Sequence, residues 1–194
     1  MDIGGFDLAM INVTLPDGTV NEYAAGITCA EVITDALGKK NGCLAALVDG
    51  QEKDMSHEIH QSCKVEGIKA ESDAGMYILR HSTAHLLAQA VTELYPDAKP
   101  TIGPAIDRGF YYDFAMEPIT EADLKPIQKK MQELARRNFT VERIELDDSE
   151  LREHFATNSY KLEIIDDKIG EGTGSTIYKP VSYTHLTLPT TCSV

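Results

Sequence analysis

Two histidines, His81 and His85, are the residues whose type and spacing most directly suggest chemistry. They stand in Arg80-His-Ser-Thr-Ala-His-Leu-Leu87. Residues four apart share one face of a helix. Imidazole titrates near neutral pH, so a neutral pair can ligate a metal, orient a water or move a proton. Ser82, Thr83 and Ala84 lie between them, which leaves no place for the glutamate of a metalloprotease HExxH. The spacing also fits two surface imidazoles bonded to water or to a loop. On spacing alone that plainer reading has the stronger claim, and the flanking sequence has to decide.

The element that must carry the pair is a helix over residues 73–95. Ser72 or Asp73 can cap its start, and Pro96 follows its end. At about 100° per residue, Leu79, Leu86, Ala90 and Leu94 form an apolar stripe flanked by Leu87 and Val91. The histidines fall nearly opposite, among Ile78, Ala84, Ala88 and Thr92. The expectation is a leucine stripe turned to the core and an imidazole face that another molecule can approach.

Composition narrows the classes. With 42% hydrophobic and 25% charged residues, the 194-residue chain reads as one large or two small soluble globular domains. No apolar run approaches the roughly 20 residues a membrane helix needs, so no membrane partner is expected. The N-terminus has neither the basic region nor the apolar core of a secretory signal, which points to the cytoplasm. Residues 1–9 add no clear element, and Met10 is a candidate start. The net charge of 18 − 31 = −13 argues against bulk electrostatic binding of nucleic acid, though not against a local basic surface. Cys29, Cys43, Cys63 and Cys192 are widely spaced and contain no CxxC. They read as reduced thiols used for packing.

Upstream of the histidines the pattern is that of a small α+β domain. Residues 11–15 alternate as a strand, Pro16-Asp17-Gly18 turns, and residues 19–23 return. Thr28 and Glu31 form a capping box at the start of a short helix that Gly38 can close. Residues 44–48, 53–55 and 63–68 are further strand candidates. His57 and His60 stand at no metal spacing and read as loop residues. The wording of Val13-Thr-Leu-Pro-Asp-Gly18, Ala46-Leu-Val-Asp-Gly50, Asp54-Met-Ser-His57 and Cys63-Lys-Val65 resembles the TGS domain, a ubiquitin-like β-grasp module of RNA-associated proteins. The resemblance implies that residues 10–70 fold as that module and carry no catalysis.

Downstream, Gly103-Pro104 makes a turn, and Gly109 bends the backbone before an aromatic strand over 110–114. In that strand Phe110, Tyr112 and Phe114 share a face. Thr120 and Asp123 start a helix whose apolar stripe is Leu124, Ile127, Met131 and Leu134. Pro126 should kink it, or stand in its first turn. Lys129, Lys130, Arg136 and Arg137 make the most basic cluster of the chain. It can be read as an RNA-backbone contact, but a solvated face is the plainer account. Residues 139–146 read as a strand, 147–155 as a capped helix, 159–165 as helix or strand, 170–174 as a glycine-rich turn and 175–179 as a strand.

Taken together, Arg80 to Leu87, Ile102-Gly-Pro104 and Gly109-Phe-Tyr-Tyr-Asp113, following a TGS-like module, resemble the N-terminal editing domain of bacterial threonyl-tRNA synthetases. The resemblance covers residues 10–179 and assigns 71–179 to an editing domain. It implies hydrolysis of serine wrongly esterified to threonine tRNA, because one methyl group supports only modest discrimination in a binding pocket. His81 and His85 would then position or activate the attacking water and hold the terminal ribose. Lys161 would stabilise developing negative charge, Tyr112 would line the pocket, and Gly103 would let the backbone approach the seryl group.

No metal is implied for this part. ATP, magnesium and zinc would serve an aminoacylation domain outside these 194 residues. The partner implied is the acceptor end of tRNA(Thr), and homodimerisation would run through the domains outside. Relatives continue after a strand like 176–179 into an Asp-x-Cys-x-x-x-x-His segment that completes the pocket. Residues 180–194 instead resemble adaptor read-through, so the pocket is expected to be incomplete. Neither His185 nor Cys192 has the order or spacing to replace that pair. Two further readings stay open: a TGS-led module that binds RNA without catalysis, and an alanyl-type, zinc-dependent free-standing editing protein.

Overall fold

In β1 (Met10–Thr14) every second side chain, Ile11 and Val13, is buried, as a strand with one covered face requires. The chain turns at Gly18, whose φ of 87° suits glycine, and returns as β2 (Val20–Ala24), antiparallel to β1. The computed structural model describes residues 9–137, 140–168 and 175–181. The chain falls into two units, one ending at Leu79 and one beginning at Arg80.

The first unit continues with β3 (Ile27–Thr28) and α1 (Cys29–Leu37). Thr28 caps the helix reciprocally: its hydroxyl accepts from the Glu31 N–H at 3.3 Å, and its own N–H donates to the Glu31 carboxylate at 2.9 Å. Gly38, at φ 83°, ends it. Then come β4 (Cys43–Val48), β5 (Gln51–Lys53), β6 (Glu58–Ile59) and β7 (Cys63–Lys69). The sheet order is β2-β1-β7-β4-β5, with β1 and β7 parallel at its centre and the other pairs antiparallel. Val32 and Ile33 of α1 close its core against Ile11, Val13, Ala46, Ile59 and Val65. Each fully buried valine, such as Val13, Val32 or Val65, contributes roughly 1.5–3 kcal/mol.

This is the expected α+β, β-grasp architecture. The short β3–β6 ladder was not legible in sequence. The strand expected at 53–55 lies at 51–53, because the Asp54 carboxylate accepts from the Ser56 N–H at 2.9 Å and turns the chain there. Cys29 is buried, and burial first, then the charges of Asp54 and Cys63, pushes its thiol up to about 11, which suits packing.

α2 (Asp73–Leu94) is capped by Ser72, whose hydroxyl accepts from the Gly75 N–H at 3.1 Å and donates to the Lys69 carbonyl at 2.7 Å. A Cβ on Gly75 would fall 1.9 Å from that same carbonyl, so only glycine fits this helix start. The expected burial of α2 holds only in part: Ala90 and Val91 of the expected stripe are buried and Leu86 and Leu87 half-buried, but the histidine face is buried as well. Leu79 and Leu94 are exposed, while Ala84, Ala88, Gln89, Ala90 and Val91 are buried. Apolar residues occur nearly all round this helix, so periodicity could not choose a face. Close packing chose the small side chains.

Within the second unit a broken hairpin follows: β8 (Lys99–Pro100), β9 (Ala105–Ile106), β10 (Gly109–Phe110) and β11 (Phe114–Ala115). β8 pairs with β11, and β9 with β10. The continuous aromatic strand expected at 110–114 is therefore two short ones. Its alternation survives, with Tyr111 and Asp113 exposed and Phe110, Tyr112 and Phe114 half-buried. Pro104 lacks the N–H that an unbroken ladder would need.

α3 (Glu121–Arg137) runs through Pro126 as one helix. It buries Ile127 and Leu134 as expected but leaves Leu124 exposed. Two of its expected basic cluster are engaged by acids: Lys130 by Glu93 at 2.7 Å, and Arg137 by Glu133. β12 (Thr140–Leu146) pairs antiparallel with β13 (Ser175–Val181). α4 (Asp148–His154) carries the expected cap, here Asp147 with Glu150. The ambiguous segment is a helix, α5 (Ser159–Lys168). Leu151, Phe155, Ile165 and Ile177 form the core of these last elements. The segments before Ala9 and after Val181, with His185 and Cys192, and the glycine-rich turn at 170–174 lie outside the described residues.

Candidate active site

Helix α2 places His81 and His85 on its buried alanine face. The rings meet edge to face with centroids 4.6 Å apart, and the two Nε2 atoms are 3.0 Å from one another. A bond between two neutral imidazoles requires one N–H and one lone pair, so the two rings hold different tautomers. Burial disfavours the charged form of each. It lowers His81 below the ordinary imidazole range. It takes His85 down to about 4, with the neighbouring His81 and then the Lys161 ammonium adding to the effect. Near neutral pH the pair is uncharged.

Lys161 comes from α5 and is only 5% exposed, which is unusual for an ammonium and demands a polar environment. Its position is set by Asn158, which sequence reading passed over. The Asn158 side chain accepts from the Lys161 N–H at 3.3 Å and donates to the Pro100 carbonyl at 2.9 Å, a buried bond. It therefore caps α5 and ties the lysine-bearing helix to the foot of the hairpin. The available signal was an asparagine immediately ahead of a candidate helix.

Gly103 and Tyr112 face each other across the gap in the hairpin. Thr101 N–H donates to the Asp113 carbonyl at 3.0 Å, and Asp113 N–H to the Ile102 carbonyl at 2.9 Å. A Cβ on Gly103 would sit 2.0 Å from the Tyr112 ring. Tyr112 stacks on Phe114 at 4.9 Å. Phe114 packs against the small core that Val91 of α2 shares with Ala98 and Ile127, and the Arg80 guanidinium donates to the Ile106 carbonyl at 3.3 Å. These two contacts tie the hairpin to α2. The Tyr112 hydroxyl is buried with no hydrogen-bond partner among the described residues, and burial pushes it up to about 12. A buried donor of this kind calls for a partner that a ligand or water would supply.

The structure thus joins His81 to His85, sets Lys161 within electrostatic reach of His85, and seats Tyr112 on Gly103. No hydrogen bond between Tyr112 and either histidine is present. Among the described residues no group of three or more His, Cys, Asp or Glu side chains is placed to hold a metal, and no helix is long and apolar enough to cross a membrane. Two neutral imidazoles, a buried ammonium and a neutral phenol are a set suited to orienting water and stabilising an oxyanion.

Comparison with known proteins gives this geometry a context. Residues 11–69 match the TGS domain family. The chain is 44% identical over 179 residues to a threonine–tRNA ligase of Alkalilimnicola ehrlichii, an alignment covering 90% of the chain and 28% of that protein. It is 45% identical over 163 residues to a threonine–tRNA ligase of Francisella tularensis subsp. tularensis, covering 81% of the chain and 25% of that protein. The chain spans about a quarter of the length of these relatives. An identity of this size over most of the chain, led by a TGS domain, marks it as N-terminal sequence of the threonine–tRNA ligase family.

Proposed function

We propose that residues 71–179, most of which belong to the second unit, form an editing domain that hydrolyses the seryl ester of mischarged tRNA(Thr), within a cytoplasmic enzyme that attaches threonine to that tRNA using ATP. The observation that carries this reading is the neutral His81–His85 pair beside the buried Lys161. A water or a terminal ribose hydroxyl entering the site takes up the Nε2 atoms that now bond one another. An imidazole with a pKa near 4 is a weak proton acceptor, so His85 orients more than it deprotonates. Water adds to the seryl carbonyl carbon, and the oxyanion that forms is stabilised by the Lys161 ammonium and the Tyr112 hydroxyl. The carbonyl–ribose oxygen bond then breaks, and the ribose oxygen takes the proton given up by the water.

Gly103 admits the Tyr112 ring, and on this reading its bare backbone also lets the seryl group approach. ATP, magnesium and zinc belong to the aminoacylation function, and subunit pairing to other parts of such an enzyme. The test is the His81→Ala, His85→Ala double variant in a full-length enzyme carrying this region. Threonylation is expected to be unchanged and seryl-tRNA(Thr) hydrolysis lost, and unaltered hydrolysis would remove the pair from the mechanism.

A further inference from the structure

The face of α3 turned away from its core carries a row of cations that the editing chemistry does not use. At about 100° per residue, Lys125, Lys129 and Arg136 fall within about 40° of one another, on the side opposite the buried Ile127 and Leu134. All three are exposed, as is Gln132 between them. Among the described residues no carboxylate pairs with any of the three. The nearby Glu133 is taken up by Lys130 and Arg137. The rotation of α3 is fixed from its inner side, where Lys130 bonds Glu93 at 2.7 Å and Asp123 accepts from the Tyr95 hydroxyl at 2.7 Å. The row is therefore held outward over about 16 Å of helix. In a chain of net charge −13, α3 is the one described helix with an excess of positive charge: Lys125, Lys129, Lys130, Arg136 and Arg137 against Glu121, Asp123 and Glu133.

We propose that the Lys125–Lys129–Arg136 face of α3 is a docking surface for the phosphodiester backbone of RNA. The inference rests on the editing reading for which RNA is meant. Glu93, where α3 is pinned, lies two turns beyond His85 on α2, about 12 Å along the axis. The histidines and the row belong to the same unit, so the RNA that the editing reading brings to the one is the polyanion offered to the other. Flexible lysine and arginine side chains on one helix face track a strand without reading bases, so the contact is independent of sequence and sensitive to salt.

Binding of the 194-residue chain to fluorescent tRNA(Thr) between 50 and 200 mM salt tests this, beside the Lys125→Ala, Lys129→Ala, Arg136→Ala triple variant. The side chains are exposed, so the variant should keep its fold, and an unchanged circular-dichroism melt checks that. The expected result is about tenfold weaker binding and a log–log salt slope flatter by about 2. A Lys125→Arg, Lys129→Arg, Arg136→Lys variant should bind as the parent does. No RNA binding by the parent chain, or equal affinity and slope in parent and triple variant, overturns the proposal. The histidine double variant separates the two claims. Normal RNA binding without seryl-ester hydrolysis in the full-length parent enzyme sinks the editing reading alone. Loss of hydrolysis only in the histidine variant, with the triple variant binding normally, sinks the docking surface alone.

Discussion

His85 has a pKa near 4 in the folded chain against 6.5 for a free imidazole, and the sign of its contribution to stability follows. Above pH 6.5 folded and unfolded states both hold it neutral. As pH falls below 6.5 the unfolded chain binds the proton first, so stability is lost progressively until the folded pKa is passed near 4. The loss is expected to be roughly 2–3 kcal/mol for the unit that contains it. Proton-monitored titration should show His85 silent down to about pH 5, and a midpoint near 6.5 would contradict the burial argument. Hydrolysis at pH 6 should likewise remain close to its value at pH 7.5. Gly103 gives a second prediction at this scale. Gly103→Ala drives a methyl into the Tyr112 ring and should cost about 1–3 kcal/mol, read as a lowered denaturant midpoint. An unchanged midpoint would mean the ring moves aside freely.

Among the elements, α5 depends on its cap more than on its length. Asn158→Ala leaves the Pro100 carbonyl without a donor and the Lys161 N–H without its side-chain acceptor. It should destabilise the second unit by about 1–3 kcal/mol. Because Asn158 positions Lys161 rather than touching substrate, the same change in a full-length enzyme should lower kcat for seryl-tRNA hydrolysis more than it raises KM. A change confined to stability, with both constants intact, would reduce Asn158 to a structural residue. The capping boxes at Thr28 and Asp147 were legible because local hydrogen bonds within four residues create them. The buried face of α2 was not legible, since a helix apolar on most sides is turned by its neighbours.

For the whole molecule, the cores of the described residues divide at the boundary between the two units. The core around Ile11, Val13, Val32, Ile33 and Val65 draws only on residues before Leu79, and the cores at Val91–Ile127 and at Leu151–Ile177 only on residues after it. Ile33→Ala should therefore lower the stability of the TGS unit by about 2–5 kcal/mol while leaving the His81 and His85 titrations where they are. Movement of those titrations in parallel would show that the units unfold as one.

The sequence by itself determined the β-grasp module, the helix carrying HxxxH, and the family. These rest on local signals: alternation, caps, turn glycines and motif spacing, each complete within a few residues. Only the tertiary structure decided that the histidines point inward at each other, that Asn158 fastens Lys161 to the hairpin, that Tyr112 lies over Gly103, and that Lys130 is spent on Glu93 while Lys125, Lys129 and Arg136 face out. Apart from the contact between the two rings themselves, each of those depends on residues distant in the chain. Burial, and with it the charge state of an imidazole or an ammonium, is a property of what surrounds a side chain rather than of the residue itself.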